Sequence, residues 1–70
     1  MKTNSEIVRD ANNLARLFYQ SMGCDVSIDY KFYEATHPQE KGCWNLAIIA
    51  YDFIEGTDVE DCLDEFLAEE

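Results

Sequence analysis

No lysine or arginine follows Lys41 in this chain of 70 residues. Nine of its 15 acidic residues lie within residues 52–70, and the formal net charge is −10. A surface of one sign repels nucleic acids and anionic membranes, because each contact would add like charge instead of releasing counterions. The charge therefore predicts no direct binding to nucleic acid or membrane, and it favours a protein partner with a basic surface.

Catalytic motifs, paired cysteines and long apolar runs are also missing. The patterns GxSxG and HExxH and a glycine-rich phosphate loop do not occur. Cys24, Cys43 and Cys62 are nineteen residues apart, whereas zinc ligands usually come in pairs about two to four residues apart. The longest apolar run, residues 46–51, is too short to cross a bilayer, and no signal peptide opens the chain. We therefore expect a cytoplasmic protein that is not an enzyme and uses no metal or cofactor, with reduced and inert cysteines.

Size and composition predict one small domain over residues 1–70. Such a length is near the lower limit for a self-sufficient core. Nevertheless, 47% of the residues are hydrophobic and nine are aromatic. This is more apolar area than so small a monomer covers by itself, so we expect a homodimer in preference to a monomer.

Apolar residues at spacings of three and four predict a first helix over about residues 4–22. The apolar stripe consists of Ile7, Val8, Ala11, Leu14, Ala15, Phe18 and Met22. Polar residues, Asn12 and Arg16 among them, fall on the solvated face. A Thr, Asn or Ser within residues 3–5 is placed to cap the start of this helix, and Gly23 is placed to end it.

Residues 38–55 predict a second helix. Thr36 and Gln39 match a capping box at its start, Pro38 falls in its first turn, and Gly56 follows its last periodic residue. The polar positions form one narrow stripe at helical spacing, made of Lys41, Asn45, Asp52 and Glu55.

A third helix is predicted over residues 58–68, where Thr57 and Glu60 match another capping box. Its apolar stripe consists of Val59, Cys62, Leu63, Phe66 and Leu67. The pattern as a whole predicts an all-α protein, a compact three-helix array with an extended aromatic connector between the first two helices.

The connector, residues 24–35, leaves an alternative open. Apolar residues recur there at the period of a half-buried strand, at Val26, Ile28, Tyr30 and Phe32. A lone strand needs a mate, because its backbone donors and acceptors would otherwise be unpaired. Candidate mates are residues 43–51, which would give an α-β-β-α fold with a hairpin over residues 26–51, and the same segment of a second chain.

Two groups of side chains are candidates for a partner-binding surface. Acidic residues project from one side of the third helix: Asp58, Asp61, Asp64 and Glu65. A solvated face that only keeps the protein soluble explains them equally well. The second group is aromatic, and rings of this kind often anchor binding: Tyr30, Tyr33 and Trp44. The alternative, that the rings close the core over the connector, is favoured for Trp44.

Three segments also resemble a known group of proteins. They are residues 32–40 (FYEATHPQE), 43–47 (CWNLA) and 56–61 (GTDVED). These segments resemble small early-region (exo–xis type) proteins of lambdoid phages and prophages. The resemblance implies a cytoplasmic, helical, non-enzymatic protein that is made early in infection and biases host physiology or the choice between lysis and lysogeny. It implies no particular functional residues.

Together these features predict a small acidic protein that binds a host or phage protein and modulates it. A transcription-linked cofactor that dimerises through the connector is a weaker variant of this hypothesis. The alternative from a different class is a DNA mimic, whose carboxylates would occupy the nucleic-acid channel of an enzyme and inhibit it. Binding by a mimic should weaken steeply with salt, whereas an adaptor anchored by Tyr30, Tyr33 or Trp44 should tolerate salt.

Overall fold

Three helices account for most of the chain. The computed structural model describes residues 2–69 and forms α1 at Asn4–Ser21, α2 at Pro38–Glu55 and α3 at Val59–Ala68. A short 3₁₀ turn, Phe32–Glu34, lies between α1 and α2. No strand is present among these residues. The predicted all-α three-helix fold is therefore confirmed, and the alternative α-β-β-α fold is wrong.

Side chains that accept hydrogen bonds from free backbone N–H groups determine where the helices begin. Thr3 Oγ1 accepts from the Glu6 N–H at 3.2 Å, and Glu6 Oε1 accepts from the Thr3 N–H at 3.3 Å. This reciprocal pair is a capping box. His37 Nδ1 caps α2 by accepting from the Gln39 N–H, and Asp58 caps α3. The predicted cap of α1 within residues 3–5 is confirmed.

The predicted caps of α2 and α3 are wrong by one residue, since they were placed at Thr36 and Thr57. Pro38 is the first residue of α2, so the residue before it becomes the cap. At α3 one carboxylate oxygen of Asp58 accepts from the N–H groups two and three residues later, at 3.0 and 3.3 Å. A charged acceptor placed at the positive end of the helix dipole is favoured over a threonine hydroxyl.

The core forms where α1 packs against both α2 and α3, which contact each other much less. Ala11, Ala15 and Ala47 are fully buried, and such small side chains allow helices to approach closely. Phe32 from the connector and Val59 from the start of α3 are buried beside them. The connector therefore supplies one of the largest core side chains from its short 3₁₀ turn.

Asn12 of α1 provides the hydrogen-bonding partner that a strand would have required. Its amide Nδ2 donates to the Tyr30 carbonyl at 2.8 Å, and its Oδ1 accepts from the Phe32 N–H at 2.7 Å. Arg16, one turn later on α1, donates to the Ile28 carbonyl. The predicted solvated position of these two α1 side chains is thus wrong, because both are half-buried against the connector. Their hydrogen bonds satisfy backbone groups of the connector without a neighbouring strand. The connector is not extended throughout, because it turns at residues 28–29 and forms the 3₁₀ turn Phe32–Glu34.

We predict that Asn12→Ala lowers the free energy of unfolding by about 2 kcal/mol, since it leaves one backbone donor and one acceptor of the connector unpaired. Urea unfolding followed by circular dichroism measures the change. Asn45→Ala is the matched control. It makes the same change in helix propensity at an exposed position of α2 whose side chain has no partner in the described chain, and we expect it to alter stability by less than about 0.5 kcal/mol. Equal losses in the two variants would contradict the role given to Asn12.

Candidate functional site

The outward side of α3 carries carboxylates that no cation of residues 2–69 neutralises. Asp61 and Asp64 are exposed, and neither side chain forms a hydrogen bond or ion pair with another residue of the described chain. The ion pairs found in residues 2–69 all involve Asp10, which contacts Lys2 and Arg9 near the start of α1. The basic side chains therefore leave the acidic helix as an uncompensated negative surface.

The other two predicted acidic residues have structural partners. Asp58 is the N-cap of α3, so its carboxylate is already engaged by backbone N–H groups. Glu65 Oε2 accepts from the side-chain amide of Asn4 at 2.8 Å, which connects the middle of α3 to the start of α1. The structure therefore places all four predicted acidic residues on exposed positions, but only Asp61 and Asp64 lack an internal partner.

The aromatic group is directed largely inward. Trp44 is only 8% exposed and packs 5.8 Å from the Tyr33 ring, centroid to centroid. Tyr33 also forms an edge contact with Phe66 at 6.4 Å, which joins the connector to α3. Tyr30 contacts the Phe32 ring edge-on at 4.8 Å. Partner binding by Tyr30, Tyr33 and Trp44 stays a prediction, and their rings already close the core over the connector.

Glu40 of α2 joins three elements through its carboxylate. The Tyr19 hydroxyl of α1 donates to Oε2 at 3.1 Å, and the Tyr30 hydroxyl of the connector donates to Oε1. The hydrogen bond from Tyr30, with that from Tyr19, holds the pKa of Glu40 below its usual value. The pKa of Tyr30 is raised to about 12, first by this hydrogen bond and then by burial. Burial, and then the bond to Glu40, likewise raises the pKa of Tyr19 to about 12.

An exposed apolar strip on α2 was missed by the sequence interpretation. Leu46, Ile49 and Phe53 are 51%, 66% and 90% exposed. Beside them an open groove of about 260 Å³ lies between α2 and the start of α3, and its lining includes Ile49 and the carboxylates of Asp52 and Glu60. The sequence did contain a signal for this strip. The polar stripe of α2 is narrow, so some apolar residues of the helix must lie outside its buried face.

The cysteines and His37 do not form a metal site. In the described part of the chain no three His, Cys, Asp or Glu side chains are grouped as metal ligands. Cys43 is buried, and burial raises the pKa of both the Cys43 and Cys62 thiols. A raised thiol pKa disfavours the reactive thiolate. Across residues 2–69 no helix combines the length and apolarity that crossing a bilayer demands.

Comparisons with protein-family models, with curated proteins and with solved structures find no match to this chain. The functional argument therefore depends on the geometry of the chain itself. That geometry offers two outward surfaces, the acidic side of α3 and the apolar strip of α2.

We predict that Glu40→Gln destabilises the protein at neutral pH and that the difference from wild type shrinks as pH falls below about 4.5. A carboxyl group with a lowered folded pKa contributes stability above its unfolded pKa, here 4.5, and loses it as pH falls through the folded value. Thermal unfolding at a series of pH values measures the difference.

Glu34→Gln is the control, since Glu34 is exposed and its carboxylate has no partner in the described chain. We expect no such pH-dependent difference for it. A difference between wild type and Glu40→Gln that stays constant from pH 7 to about pH 3 would contradict the prediction.

Proposed function

We propose that this protein is a non-enzymatic interaction factor of the cytoplasm. It binds a protein with a basic surface through the outward carboxylates of α3 and modulates that protein. The observation that carries the proposal is that Asp61 and Asp64 are exposed and face no cation in the described residues. Charges left uncompensated on one side of a small protein steer and orient an oppositely charged partner.

The location of the basic residues supports this assignment. Lys2 is held by Asp10 at 2.8 Å and lies 5.8 Å from the centre of the Tyr51 ring. Arg16 donates to Asn13 and to the connector backbone. Neither cation lies within ion-pair distance of an α3 carboxylate in the described residues. A basic partner is the source of positive charge that we propose for α3.

The pKa values of the hydrogen-bonded groups Glu40, Tyr19 and Tyr30 favour binding over catalysis. A general acid or base works best when its pKa is near the working pH. Here the pKa of Glu40 moves down and those of Tyr19 and Tyr30 move up to about 12, so each moves away from neutrality. These three groups therefore do not supply a general acid or base with a pKa near 7.

The resemblance to early proteins of lambdoid phages supplies a setting for the proposal. In that setting the partner is a host or phage protein, and its modulation biases host physiology or the choice between lysis and lysogeny. The small size and the helical fold agree with what the resemblance implies.

A DNA mimic remains the second candidate function, because the C-terminal part of the chain carries charge of one sign only. Helix α3 contains 10 residues, which corresponds to a length of roughly 15 Å. One turn of duplex DNA is about 34 Å long. The acidic helix alone therefore spans less than half a turn, and a mimic would need Asp52 and Glu55 of α2 as well. This geometry favours a local basic site on a protein over a whole nucleic-acid channel.

We predict that the double variant Asp61→Asn/Asp64→Asn binds its partner about tenfold more weakly, since each exposed charge pair contributes up to about 1 kcal/mol. The measurement is affinity selection from bacterial lysate in a salt gradient, with quantitative mass spectrometry of the retained proteins. We expect wild type to retain basic proteins at low salt and the double variant to lose them.

The control Asp25→Asn/Asp29→Asn makes the same change in charge on the connector. It also keeps the side-chain oxygen that accepts from the Val26 N–H. We expect this control to retain the same proteins as wild type. Retention that is unaffected by the α3 variant would overturn the proposal. If wild type retains only enzymes that act on nucleic acids, and duplex DNA releases them, the result would support the DNA-mimic function instead.

A further inference from the structure

We propose that two copies of this chain pair antiparallel through one face of α2. This α2 seam consists of Gly42, Leu46, Ile49 and Phe53. Its three apolar side chains are all exposed, with Phe53 at 90%. Successive seam positions are four, three and four residues apart, which is the spacing of a helix–helix contact in a coiled coil. The seam lies away from the face of α2 that is buried in the monomer, where Cys43, Trp44, Ala47 and Tyr51 lie.

The sizes of the seam residues fit a second copy of the same chain. When two α2 helices are antiparallel with Leu46 opposite Ile49, the same register places Phe53 opposite Gly42. A two-fold axis repeats both pairs, so every seam position has a partner. Phe53, the largest side chain of the seam, then faces Gly42, which has no side chain. A side chain added at Gly42 would meet nothing within 4 Å in the monomer, so the surface there is open to receive a ring.

The charges beside the seam select the antiparallel orientation. Lys41 lies near the start of α2, and Asp52 and Glu55 lie near its end. None of these three side chains has an ion-pair partner within residues 2–69. Antiparallel pairing brings Lys41 toward the acidic end of the second copy's α2. Parallel pairing would place like charges side by side and would also align the helix dipoles.

The net charge gives this dimer a distinctive salt dependence. Each copy carries −10, so the two copies repel one another at long range. Salt screens that repulsion and leaves the apolar contact unchanged, so dimerisation should strengthen as salt is added. Binding of a basic partner by α3 should weaken under the same conditions. A failure of one proposal can therefore be distinguished from a failure of the other.

A narrow seam of three turns corresponds to a small interface, which is typical of a weak or transient dimer.

Sedimentation equilibrium over a concentration series, at about 0.05 M and 0.5 M salt, tests the pairing. We expect a monomer–dimer equilibrium that shifts toward dimer at the higher salt. Phe53→Gln should raise the dissociation constant at least about tenfold. The control Leu17→Gln replaces an apolar residue on α1 that is 61% exposed, and it should leave the constant unchanged. A wild-type monomer at every concentration in both salts would overturn the proposal, as would equal effects of the two variants.

Two further variants test the register and the orientation. Gly42→Leu fills the space opposite Phe53, so it should weaken the dimer while circular dichroism shows the helices retained. Lys41→Glu should also weaken the dimer, and the charge swap Lys41→Glu/Glu55→Lys should restore it. A dimer that is unchanged by Gly42→Leu, or a charge swap that fails to restore pairing, would overturn the antiparallel arrangement.

Discussion

The two hydrogen bonds of the Asn12 amide determine how the connector runs, and much of the remaining structure depends on that course. They hold the backbone at Tyr30 and Phe32 against α1. The Phe32 side chain is thereby buried, and the Tyr30 hydroxyl reaches Glu40 of α2. One short side chain thus pairs two backbone groups of the connector that would otherwise need a neighbouring strand. The aromatic rings of the connector are used inside the protein as a consequence.

Because the aromatic rings of the connector pack inside the protein, the outward surfaces are the acidic side of α3 and the apolar strip of α2. Within residues 2–69, the carboxylates of α3 have no ion-pair partner and the apolar side chains of the α2 seam are exposed. The two proposed contacts should respond oppositely to salt, because one depends on attraction between unlike charges and the other on exclusion of water.

Helical periodicity was sufficient to predict the three helices, since the apolar stripes of α1 and α3 and the glycines after α1 and α2 are local signals. The caps at His37 and Asp58 were missed by one residue, because several adjacent polar residues match the same capping pattern. The role of Asn12 could not be predicted from the sequence. An amide that hydrogen-bonds a distant backbone has the same neighbouring residues as an amide that faces solvent. The apolar residues of the seam were partly predictable from the narrow polar stripe of α2. Their exposure was not, because it depends on which face of α2 is covered by α1.

Hydrogen exchange of the Phe32 backbone N–H, measured by NMR, tests most directly whether Asn12 holds the connector. This N–H donates to Asn12 Oδ1 at 2.7 Å, whereas the adjacent Lys31 N–H has no partner in the described chain. We predict that Phe32 exchanges at least about a hundredfold more slowly than an unstructured amide, while Lys31 exchanges close to the unstructured rate. Equally fast exchange at the two positions would contradict the account, since the connector would then be free and its tyrosines available to a partner.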